Sequence, residues 1–384
     1  MTGFKAEIEN NILPFWLKHM TDAEQGGFYG RMDGTHRVLP EAGKGAVLNA
    51  RLLWTFSAAY RVLRRQEYLA AAERAFAYLS TRFYDPLHKG FFWELDYRGR
   101  PVNTKKQTYA QAFALYGLSE YYRASGDKNG LELAVETFGV LEKHADKTHG
   151  GYFEAFSRDW GPLEDVRLSE KDINEKKSMN THLHVLEAYT NLRRVWESAE
   201  LGHAHRELTE LFPRFILDKN SPRFNLFFDE AWTPVSRAIS YGHDIEGAWL
   251  LHEAAETAGI PGFKTLSVKM AEAALEAQMP DGGIIYEKEG ENLDKERHWW
   301  VQAEAVVGYM YAWKNSGHLP FKTAAEKTWA YIREKIIDPR NGEWFWSRLP
   351  DGTVNTREDK AGFWKCPYHN GRMCLEMIEN FGLE

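Results

Sequence analysis

Gly26–Gly30 reads GGFYG, and a glycine-aromatic turn of the same character returns five more times. The later copies are KGFFWELD (Lys89–Asp96), HGGYFEAF (His149–Phe156), NLFFDEAW (Asn225–Trp232), DGGIIYE (Asp281–Glu287) and NGEWFWSR (Asn341–Arg348). A repeat of about 60 residues marks an array of equivalent supersecondary units, each unable to bury its apolar face alone. Six such units can close into a ring around a hollow. The ring would bring residues distant in sequence around one site.

Two helical patterns of different character separate successive turns. Leu69, Ala72, Phe76, Leu79 and Phe83 recur at helical spacing while Glu67, Glu73 and Arg74 fall elsewhere on the wheel, so this helix has one wet face. Tyr109–Ser119 (YAQAFALYGLS) holds no charge, and Trp299–Trp313 (WWVQAEAVVGYMYAW) holds only Glu304. A helix apolar nearly all round is buried on all sides. Outer helices are expected at about Phe4–Asp22 and Gln66–Tyr84. Buried ones are expected near Lys44–Leu63, Thr104–Ala124, Met179–Trp196, Tyr241–Ala258, His298–Asn315 and Pro367–Asn380. The expected fold is all-α: an (α/α)6 barrel of six inner and six outer helices, with short β-hairpins at one rim. Glycines supply the turn geometry. An open solenoid is the alternative, but the first and last units lack clear polar caps.

The repeat runs the whole length of the chain, and no Pro- or Ser-rich linker interrupts it. Residues 1–384 are therefore expected to form a single domain. The net charge of -7 comes from interspersed acids and bases, with no basic stripe for nucleic acid and no polybasic run for a membrane. The start, MTGFKAEIENNILPFW, lacks the basic residues and long apolar run of a signal peptide, and no stretch approaches the roughly 20 apolar residues that span a bilayer. A soluble, cytoplasmic monomer is expected. Cys366 and Cys374 form no CxxC pair and cannot frame a disulfide scaffold. Fourteen tryptophans give more flat rings than packing needs, which suits sugar binding.

Polar residues gather near the starts of the buried helices, where an unpartnered polar group costs roughly 1–3 kcal/mol. They are Arg51, Tyr109, Asn180, His184, His243, Glu246, Trp299, Trp300 and His369. In a toroid these starts converge on one mouth. Asn180, His184, Glu187 and Asn191 share one helix face, whereas His182 points away and reads as structural. His243 and Glu246 are i, i+3 neighbours, so the carboxylate is expected to orient the imidazole and favour its protonated form. Such a set could ligate zinc or iron, but an acid/base pair is the simpler reading. No Walker A loop, dinucleotide fingerprint or serine nucleophile elbow is present. Two histidines facing each other across a ring, with an arginine and aromatic walls, suit proton transfer at a carbon next to a carbonyl. The enediolate so formed needs a fixed cation rather than a cofactor.

The strings KGAVLNARLLWTFSAAYR, MNTHLHVLEAYT, GHDIEGAWLL, HWWVQAEA and WKCPYHNGRM closely resemble those of the cellobiose 2-epimerases, in the N-acylglucosamine 2-epimerase superfamily. The likeness spans nearly the whole chain. It implies an (α/α)6 barrel that inverts C2 of the reducing-end sugar in β-1,4-linked disaccharides, without metal or organic cofactor. Cellobiose would give glucosyl-mannose and lactose would give epilactose. By position, the resemblance makes His243 and His369 the paired catalysts, with Glu246 supporting His243. Arg51 would hold the C1 and C2 oxygens. Tyr109, Asn180 and His184 would bind the opened sugar, and Trp299 or Trp300, with Trp364, would stack on it.

Within the superfamily, a mannobiose 2-epimerase, an N-acylglucosamine 2-epimerase or a mannose isomerase is the nearest alternative. An isomerase needs only one base. A glycoside hydrolase would need two carboxylates about 5–9.5 Å apart across the scissile bond, and Glu246, Glu187 and Glu304 lie among histidines. A non-catalytic sugar binder would need the aromatic walls but neither His243 nor His369.

Overall fold

The computed structural model describes residues 1–384 as twelve helices in two concentric layers. The outer helices are α1 (residues 4–20), α3 (Gln66–Tyr78), α5 (Lys128–Lys143), α7 (Ala199–Leu211), α9 (Phe263–Ala274) and α11 (Leu319–Tyr331). The inner helices are α2 (Ala46–Leu63), α4 (Thr108–Ser125), α6 (Met179–Arg193), α8 (Tyr241–Ala258), α10 (Trp299–Ser316) and α12 (Tyr368–Phe381). Each inner helix packs on the next, and α12 packs back on α2, so the ring is closed. No helix is long and apolar enough to cross a membrane.

Two inner helices start at Met179 and Tyr241 as expected, and the other four start one to four residues later than their apolar runs suggest. Lys106–Gln107 pairs antiparallel with Ala155–Phe156, and Lys177–Ser178 with Phe227–Phe228. Lys44–Gly45, Ile239–Ser240 and Arg297–His298 pair likewise with strands of the following unit. A bridge between Met32 and Ala361 joins the last unit to the first. These short ladders lock the rim.

A second device recurs in four of the six units. The fourth residue of an inner helix grips the aromatic turn that precedes it. Gln111 accepts from Phe91 N and donates to Phe91 O, and Gln302 does the same to Ile284. His182 accepts from Tyr152 N at 2.8 Å, and Asp244 accepts from Phe224 N at 3.0 Å. His182 is fully buried and structural, as its place on the helix wheel predicts. Buried lysines entering the inner helices also pair with the aspartate that ends the outer one: Lys44–Asp22, Lys106–Asp85, Lys177–Asp146 and Lys360–Asp338. Each pair fixes the direction in which the chain enters the hollow.

Candidate active site

Because the units are equivalent, side chains at matching helix positions form tiers. The first turns of the inner helices carry Tyr109, Asn180, His243, Trp300 and His369. One turn deeper, the sixth residues are Arg51, Phe113, His184, Glu246 and Glu304, and Arg372 holds the corresponding place on α12. All six inner helices contribute.

In the first tier, His243 and His369 both lie against Trp300. Their ring centroids are 4.9 and 5.5 Å from the indole, so both imidazoles pack on the same ring. Trp299 instead lies against Trp346 at 4.8 Å, with the Lys365 ammonium over its ring. Of the adjacent pair, Trp300 is the one that faces both histidines. Asn180 and His243 line a cavity of about 490 Å³, whose mouth holds Tyr286, Glu287, Asp294 and His298.

In the second tier, the Arg51 guanidinium donates to the Tyr109 hydroxyl at 2.8 Å and lies over the Phe113 and Tyr368 rings. Its other nitrogen reaches the Trp364 carbonyl at 3.4 Å. The Trp364 ring, half-buried, is 6.1 Å from Tyr109. Tyr109 meets the His184 ring edge-on at 5.1 Å. Arg51, Tyr109, His184 and Trp364 thus form one contiguous cluster, and His243, Trp300 and His369 form another.

One expected pairing fails. Glu246 does not hold His243, whose Nδ1 lies 2.7 Å from Ser240 Oγ. The carboxylate turns to Arg372, accepting from its Nη2 at 2.7 Å, and sits 3.9 Å from His369 Nδ1. A buried guanidinium draws a carboxylate more strongly than a neutral ring on its own helix. His243 is not held protonated either: burial pushes it down to about 3.

The partners actually present were hidden in the sequence. His369 Nδ1 lies 2.7 Å from Glu304 Oε1, and His184 Nδ1 lies 2.9 Å from Glu187 Oε2. Glu304 receives donors on both oxygens, from Arg372 and from Trp249. Burial raises its pKa while Arg372 and Trp249 oppose the rise, and its Oε1 accepts from His369 Nδ1. Glu187 is held down at about 2, against its burial, by Arg372 and by His184. Each carboxylate fixes the Nδ1–H tautomer of its imidazole and leaves Nε2 with a free lone pair. Burial lowers the pKa of His184, and burial with Arg51 and Arg372 lowers that of His369, so both rings rest neutral and basic. Burial and the charge of Glu304 push the pKa of Glu246 up to about 8.

Glu246, Glu304 and His369 bring their ligand atoms close enough together to hold a cation. The Arg372 guanidinium already bonds to both carboxylates, at 2.7 and 2.6 Å, and stands where a metal would need to be. A permanent charge there makes the set a poor metal site.

Residues 27–371 match the N-acylglucosamine 2-epimerase (GlcNAc 2-epimerase) family model. The chain is 50% identical to a cellobiose 2-epimerase of Bacteroides fragilis over 97% of each chain, and 40% identical to one of Dictyoglomus turgidum over 97% and 96%. It superposes on the structure of cellobiose 2-epimerase from Bacillus thermoamylovorans with a TM-score of 0.95, at 40% identity and 98% coverage of both. With its closed ring and convergent histidines, the chain belongs to the N-acylglucosamine 2-epimerase family.

Proposed function

We propose that the protein epimerises C2 of the reducing-end sugar in β-1,4-linked disaccharides, with cellobiose and lactose as substrates and the whole ring as one catalytic unit. One observation carries this reading: two imidazoles, His243 and His369, lie against the same indole, Trp300, and His243 lines a polar cavity. The full-length likeness to cellobiose 2-epimerases supports the choice of sugar.

Arg51, Tyr109 and His184 lie together, and in this reading they open the sugar ring. One histidine then takes the C2 proton from one face. The negative charge that develops on O1 and O2 is met by Arg51, a donor whose position is already fixed by two aromatic faces. The second histidine acts as an imidazolium, charged from solvent before the sugar is engaged, and returns its proton to the other face, while the first later releases the C2 proton to solvent. Glu246 lies 3.9 Å from His369 Nδ1 and bonds to Arg372, so it supports His369 rather than His243. Trp300, Trp364 and Asn180 hold the sugar.

Incubation with cellobiose, mannobiose, mannose and N-acetylglucosamine, followed by NMR, tests the assignment. Glucosyl-mannose from cellobiose is the expected product. Ketose from mannose alone would make the protein an isomerase, and free glucose from cellobiose would make it a hydrolase.

A further inference from the structure

Arg372 is the most heavily engaged side chain in the hollow, and no step of the reaction above uses it. It is 1% exposed and projects from α12 at the level of the other second-tier residues. Nη1 bonds to Glu187 and to the Tyr368 hydroxyl, while Nη2 bonds to Glu246 at 2.7 Å and Glu304 at 2.6 Å. The Tyr368 hydroxyl itself donates to Glu187 at 2.5 Å. Rings close both faces of the guanidinium, with Tyr368 at 4.3 Å and Trp249 at 4.8 Å. The plane of the group is thereby fixed.

Two of those carboxylates hold histidines. Glu187 reaches His184 Nδ1 at 2.9 Å, and Glu304 reaches His369 Nδ1 at 2.7 Å. A continuous chain therefore runs His184–Glu187–Arg372–Glu304–His369, drawn from α6, α12 and α10. Its centre must be a planar fork, because one nitrogen serves the Glu187 side and the other the Glu304 side. An ammonium is a single point and cannot serve both in fixed geometry.

On the epimerase reading, we propose that Arg372 is a positioning residue that holds His184 and His369 together, through Glu187 and Glu304, so that ring opening and C2 proton transfer share one support. It touches no substrate. It aims the Nε2 atoms of two imidazoles that do. Partners one step behind a reacting group in this way typically affect activity by about 10–100-fold. Three buried carboxylates around one guanidinium also repel one another, which adds to the upward shift of Glu246.

The experiment measures two rates by NMR with cellobiose in D2O: enzyme-catalysed interconversion of the anomers, and exchange at C2. Arg372→Lys keeps the charge but loses the fork. It should lower both rates at least about tenfold, with the kcat of C2 exchange falling and KM within about threefold. Glu187→Gln, which removes a charge and conserves volume, should slow anomer interconversion even if Arg372→Lys does not fold. Wild-type rates on both readouts in Arg372→Lys, a change in KM with kcat intact, or undisturbed anomer interconversion in Glu187→Gln would overturn the inference. Absence of C2 exchange in the wild-type protein would instead remove the epimerase reading on which it rests.

Discussion

Gly242 has no side chain because Trp300 takes the space. A Cβ there would stand 2.6 Å from Trp300 Cζ3 and 2.8 Å from Val301 Cγ2, so alanine must push the indole away. Trp300 touches both histidines, and its displacement should misplace both. Gly242→Ala should lower the kcat of epimerisation at least about tenfold, at an overpacking cost of about 1–3 kcal/mol readable by thermal melting. Unchanged kcat with a displaced Trp300 would show that the indole is only wall. At this scale the sequence was partly legible. Histidines on apolar helices stand out, since a buried polar group needs a reason. Their partners did not, because spacing along one helix shows which residues can meet but not which competitor prevails. Glu246 had His243 within reach and went to Arg372, 126 residues away. Glu304 was visible as the only charge between Trp299 and Trp313, yet its bond to His369 spans 65 residues and helix spacing could not reveal it.

Elements are held to one another by the amide grips at the fourth helical position. Gln302 accepts from Ile284 N at 2.7 Å and donates to Ile284 O at 2.9 Å, in a fully buried setting. Gln302→Ala leaves two backbone groups without partners, each costing about 1–3 kcal/mol. The variant should lose on the order of 2–4 kcal/mol of stability in denaturant unfolding while keeping its activity per folded molecule. A loss below about 0.5 kcal/mol would mean that water replaces the amide. The helices were legible from periodicity, and α4, α8, α10 and α12 end where a glycine takes up the left-handed conformation. The end of α2 was less so, since Arg64 adopts that conformation with φ 60 and no glycine marks it. The π-helical turns that close four outer helices, such as Leu79–Phe83 and Ile332–Ile336, have no signature in the apolar pattern, which continues through them.

For the whole molecule, closure of the ring is what makes a site. Arg51 on α2 lies over Tyr368 on α12, more than 300 residues later, only because the sixth unit docks on the first and Met32 bridges to Ala361. Six turn copies made that closure legible, as an open array would leave the first and last apolar faces uncovered. The same closure sets His243 of the fourth unit and His369 of the sixth against one indole. The central claim is that these two rings carry the C2 proton between them and solvent. Deuterium at C2 after reaction with cellobiose in D2O, in the wild-type protein and in His243→Ala and His369→Ala, tests it most directly. The account predicts glucosyl-mannose labelled at C2 from the wild type and a rate at least about 100-fold lower in each variant. An unlabelled epimer, or either variant within about tenfold of wild type, would contradict it.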